Sequence, residues 1–165
     1  MNRRITLLSS FIMLAMIVVF TASSASISAV AVGNNPSANG HGNITVNDTL
    51  RTFSFQAMTR KDGTVTGSAT LHNRNSDTFI KLDINCLRVV ENTAYLSGII
   101  TKSSNPSFEG RLGLFQVVDN GEGANDPPDQ ISLVFIYPES TLFNCNSFDD
   151  FPLNTIEGGN VQVNP

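Results

Sequence analysis

From Ile44 onward, apolar and polar positions alternate with a period of two, the spacing that puts one face of a strand inside and the other in water. In Phe53-Ser-Phe55-Gln-Ala57 the apolar residues share a face. Val65, Gly67, Ala69 and Leu71 alternate with Thr64, Thr66, Ser68, Thr70 and His72. Between these runs lies Arg60-Lys61-Asp62-Gly63, whose Asp-Gly supplies the positive φ of a tight hairpin. Ile80, Leu82, Ile84 and Cys86 form the next inward-facing series, and the chain turns at Glu91-Asn92 into 94–100. Further strands are expected at 111–118, 130–137 and 160–163. No dozen-residue window of this region has a helical period. The fold class is therefore all-β: a single antiparallel meander of about seven to nine strands over residues 43–165, closing as a small barrel or a sandwich. Gly67, Gly98, Gly110 and Gly113, within or beside strands, mark bulges or tight coiling and favour the barrel.

The N-terminal pattern is different. Met1-Asn-Arg-Arg4 is a short positive start, Ile5–Phe20 an uncharged apolar run of 16 residues, and Thr21–Ala31 small and mostly polar. That order is a secretory signal peptide over 1–31, cleaved after Ala31 or after Ala25. The run is short for a membrane span of about 20 residues. No later run is long enough, so the mature chain carries no membrane span and is secreted or periplasmic. Residues 32–42 (VGNNPSANGHG), rich in Gly, Asn and Ser, read as a flexible segment before the domain, with His41 idle inside it.

Export changes the meaning of the two cysteines. In an oxidising compartment Cys86 and Cys145 can pair, with buried thiols as the alternative. Ten Lys+Arg against fourteen Asp+Glu give a net charge of −4, and loss of Arg3 and Arg4 leaves eight against fourteen, or −6. That charge repels phosphate, so nucleic acid is not a partner. An unidentified protein or small molecule is expected instead, with the chain itself a monomer.

The candidate chemistry lies in Asp119-Asn-Gly-Glu122-Gly-Ala-Asn-Asp126-Pro-Pro-Asp129, four carboxylates in eleven residues. Clustered oxygens of Asp119, Glu122, Asp126 and Asp129 suit Ca²⁺, although the spacing is not that of an EF-hand. A solvated turn rich in turn formers is the plainer reading, and a carboxylate acid–base pair the third. No nucleophile elbow, phosphate loop or His-Glu-x-x-His occurs. His72 falls on the polar face of a strand. Asn43 and Asn47 head N-glycosylation sequons. Eleven Phe and no Trp make a core inventory without a Trp platform for sugars; Phe53, Phe55, Phe79, Phe115 and Phe135 read as core, or as the lining of a cavity if a barrel closes.

The run from Val118 to Val134 (VDNGEGANDPPDQISLV) resembles the signature of a group of uncharacterised secreted bacterial proteins. Phe53-Ser-Phe55 leading to Asp62-Gly-Thr-Val-Thr-Gly67, Cys86 to Ala94 with Ser97-Gly98, and Gly159-Asn-Val-Gln-Val163 resemble the same group. The resemblance implies a compact extracellular all-β domain and brings no activity or catalytic residue. The function expected is an exported non-enzymatic module, structural or interacting, steadied by a cation at loop 119–129. The alternative is a small-ligand carrier or a carboxylate-based hydrolase on a barrel.

Overall fold

The computed structural model describes residues 35–123, 125–138, 144–147 and 151–165. The expected signal peptide over 1–31, both expected cleavage positions and residues 32–34 lie outside the described residues. Ten strands make one antiparallel sheet: β1 (Ser37–Val46), β2 (Thr49–Thr59), β3 (Val65–Asn73), β4 (Thr78–Val90), β5 (Thr93–Ser103), β6 (Leu112–Val118), β7 (Gln130–Ser132), β8 (Phe135–Tyr137), β9 (Leu153–Thr155) and β10 (Gly158–Asn164). Their order is β10-β1-β2-β3-β4-β5-β6-β7-β9, with β8 also on β6. The sheet is a meander curled into a half-barrel, its last strand returning beside the first. Among the described residues no helix is long and apolar enough to cross a membrane.

The period-two pattern sets the inner face. Phe53, Phe55 and Ala57 of β2, Ala69 of β3, Leu82 and Ile84 of β4, Leu96 and Ile100 of β5, and Phe115 and Val117 of β6 are all buried in one core. Phe55 meets Phe115 edge to face at 5.6 Å. The void left among these side chains is about 20 Å³, room for one water at most. The core around Phe53, Phe55 and Phe115 is filled. Two of the five Phe are elsewhere: Phe79 packs edge-on to His72, and Phe135 stacks on Phe151 at 4.6 Å. Tight turns set the register. Asn47 and Asp48 (φ 51° and 58°) join β1 to β2, and Gly63 (φ 81°) turns the next hairpin, where Asp62 accepts from the Thr64 hydroxyl and amide. Those two bonds hold the Asp62 carboxyl below its ordinary pKa.

Residues 37–42 are not a flexible lead-in but the first half of β1, paired on both sides: Gly40 faces Phe55 and Val161, and Gly42 faces Phe53 and Gly159. The pattern hid this strand because its inward positions are Ala38, Gly40 and Gly42, which have little or no side chain. Their neighbours supply the apolar surface. A Cβ on Gly40 would come within 2.8 Å of the Phe55 ring and 2.9 Å of the Val161 side chain and the Asn160 carbonyl. Gly40→Ala is therefore expected to cost about 2 kcal/mol, the price of overpacking, read as a lower urea midpoint with an unchanged slope. An unaltered midpoint would show that the rings do not need that space.

The series Ile80, Leu82, Ile84, Cys86 breaks at Asn85. Ile84 pairs with Gly98 but Cys86 with Ser97, a bulge that shifts the register by one. From there Leu87 and Val89 turn inward with Leu96 and Ala94, and Cys86 and Arg88 turn outward. Cys86 bonds to Cys145 with Cα atoms 5.7 Å apart. The outer face of β5 and β6 is therefore covered too, and residues 94–98 and 112–117 are buried throughout. The expected strand 130–137 is split, with 130–132 on the end of β6 nearest the acidic loop and 135–137 on the other.

Candidate functional site

The acidic connection between β6 and β7 runs beside the outer edge of β10. β1 occupies one side of β10, so the amides of Val161 and Val163 point the other way. Asp129 accepts from Val161 N through Oδ2 (2.8 Å) and from Asn120 N through Oδ1 (2.9 Å). Asp119 accepts from Val163 N through Oδ2 (2.9 Å) and from Gly121 N through Oδ1 (3.0 Å). Each carboxylate grips its own loop with one oxygen and the strand with the other. Asp126 Oδ2 accepts from Gly123 N at 2.6 Å, and Glu122 Oε1 from the Asn160 amide at 2.7 Å. No ladder joins β9 to β10, so side-chain carboxylates hold the end of the sheet that backbone pairing leaves open.

The four residues thus line one strand edge instead of converging on a point. Asp129 is buried, while Glu122 and Asp126 are exposed beside a shallow polar groove of about 260 Å³ against 156–160. No three His, Cys, Asp or Glu among the described residues could hold a metal ion together. Calcium needs six to eight oxygens at 2.3–2.6 Å, and each oxygen of Asp119 and Asp129 already accepts one backbone amide. The four carboxylates named for calcium are spread along the edge of β10 in this geometry. Millimolar Ca²⁺ is expected to leave the melting temperature unchanged, and a rise of several degrees would place a cation at Glu122 and Asp126. For an acid–base pair, Asp119 and Asp129 are the committed carboxylates, each oxygen accepting one backbone amide.

Glu157 is a residue the pattern missed. It follows the last apolar position before β10 and looks like an ordinary surface charge. Its Oε1 accepts from Thr45 N (3.0 Å) and its Oε2 from the Thr45 hydroxyl (3.1 Å), where pairing between β1 and β10 has ended at Asn43–Gly158. The buried polar residues of β5 and β6 were missed likewise. Ser97 Oγ accepts from Cys145 N (3.1 Å), Gln116 Oε1 accepts from Phe151 N (2.9 Å), and Arg88 Nε donates to Cys145 O (3.0 Å) while its guanidinium lies 3.8 Å over the Tyr95 ring. The available signal was polar Ser97 and Gln116 inside otherwise apolar strands, which requires a partner layer on that face.

The remaining candidates are quickly placed. His41 stands exposed on the outside of β1, opposite Ser54 and Asn160. His72 Nε2 lies 2.8 Å from Asp77 Oδ1, and the Asp77 side chain is 92% exposed, so water screens the pair. Asn43 directs its amide to Glu157 at 3.4 Å, and Asn47 sits in the exposed two-residue turn. No family model, curated protein or solved structure matches the chain. Its function rests on its own geometry.

Proposed function

We propose that the chain is an exported, non-enzymatic β-domain acting as a structural or interaction module, a member of the secreted group whose signature its central loop resembles. The observation that carries this reading is the use of the loop carboxylates: Asp119 and Asp129, the groups a hydrolase would need, spend both oxygens on backbone amides of the loop and of β10. The Cys86–Cys145 bond suits an oxidising compartment.

The test is expression of the full chain in a bacterial host, followed by fractionation and mass spectrometry of the N-terminus. A chain outside the cytoplasm that begins at Val32, or at Ser26 for the earlier cleavage, is the expected result. A cytoplasmic chain that keeps Met1 and carries two free thiols would overturn export. Turnover of chromogenic esters or glycosides that is lost in Asp119→Asn would overturn the non-enzymatic reading.

A further inference from the structure

At the end of the sheet opposite the acidic loop, the inward face of the strands opens into a second cavity, of about 270 Å³. Its walls are Leu71 of β3, Phe79 and Ile80 of β4, Ser103 of β5, and Phe108 from the 3-10 turn at 106–108. Arg51 of β2 completes the lining on the same face as Phe53 and Phe55. Ordinary ligand pockets span about 300–1,000 Å³, so this one suits a fragment-sized molecule.

The half-buried guanidinium of Arg51 decides which. Its Nη1 donates to Val46 O (2.9 Å) and to Thr49 O (3.3 Å). An arginine has five N–H donors, and those on Nε and Nη2 meet no acceptor among the described residues. No carboxylate pairs with it, the one ion pair among those residues being His72–Asp77. The Arg111 guanidinium lies 5.9 Å from the ring of Phe108, one of the wall residues. The neighbouring acid, Glu109, accepts from Ser103 N at 3.1 Å. Arg51 and Arg111 thus stand beside one apolar recess of an acidic protein.

We propose that this recess binds small amphipathic monocarboxylates, with the acid group on the Arg51 fork and the hydrocarbon against Leu71, Ile80 and Phe108. A planar guanidinium with donors to spare matches a carboxylate in two hydrogen bonds, and the apolar wall excludes water from the tail. The site is independent of the carboxylates at the other end, so the proposal stands or falls apart from the reading above.

The test uses octanoate, 1-octanol and octylammonium, titrated into the ¹⁵N-labelled chain and followed by amide shifts. Octanoate is expected to shift Leu71, Ile80, Ser104 and Phe108 saturably. Octanol should bind about tenfold more weakly, the loss of one charge-assisted pair, and octylammonium not at all. Arg51→Gln should erase the preference of acid over alcohol, and Leu71→Phe, which fills the recess, should weaken both. Since Arg51 also ties the carbonyls of 46 and 49, its variant could fail to fold; the three probes on the unaltered chain then decide alone. Equal binding of octanoate and octanol, no saturable shift, or shifts centred elsewhere would each overturn the proposal.

Discussion

Replacing Cys86 and Cys145 together by alanine is expected to lower stability by about 4 kcal/mol, the largest single effect in the molecule. The bond spans a sequence separation of 59. In the chain-entropy model, constraining a loop of that size in the unfolded state gives about 4 kcal/mol. For a domain of this length the melting temperature should fall on the order of 10 °C. The effect should have a local signature as well. Cys145 is buried at 1% exposure and anchors its neighbours over β4 and β5 through Ser97 and Arg88. Without the bond these hydrogen bonds must hold the segment alone, so water reaches Tyr95, one of only two tyrosines. A blue-shifted tyrosine absorbance, together with faster exchange at Ser97 and Gln116, is the expected companion of the lower midpoint. A double variant that melts where the parent does, with the same near-UV spectrum, would show that the outer layer is held by packing instead.

What the sequence reveals about this fold follows from what side chains advertise. β2, β3 and the inner half of β5 are legible because Phe53, Phe55, Val65, Leu71, Leu96 and Ile100 write the alternation in large apolar groups. β1 is silent over 37–42 because Ala38 and Gly40 are buried, and Gly42 is half-buried under the Phe53 ring, without any hydropathic signal. The bulge at Asn85 is silent for another reason: it changes which residue faces inward without changing the composition, so Cys86 looks like core and is not. The pairing of the cysteines could be anticipated from compartment and count, but not that it seats Cys145 against Ser97 and Arg88. Carboxylates are hardest of all. Asp119 and Asp129 read as clustered charge and Glu157 as an ordinary surface charge, and only the three-dimensional paths of β10 and β1 show that the amides of Val161, Val163 and Thr45 lie in front of them.

That reading makes Asp129 the residue on which the closure depends. Asp129→Ala is expected to cost about 3 kcal/mol: it strands the amide of Val161, which is fully buried, and that of Asn120, and hydrogen bonds to a charged acceptor are each worth about 1.5–3 kcal/mol. Asp129→Asn separates geometry from charge. The amide has the same shape but one acceptor oxygen, so it can serve Asn120 or Val161 and turns N–H against the other, and it should recover at most half of the loss. Glu122→Gln, which alters only the exposed contact to Asn160, should stay within about 0.5 kcal/mol of the parent. Hydrogen exchange supplies the local reading. In Asp129→Ala the Val161 amide should lose protection, while Asn160 and Gln162, on the β1 side of the same strand, keep most of theirs. A bared β10 edge is also a template for another chain, so the variant should associate at concentrations where the parent stays dispersed. If Asp129→Ala is as stable as the parent and Val161 remains protected, β10 is held by β1 alone, and the loop carboxylates are free for a role other than closing the sheet.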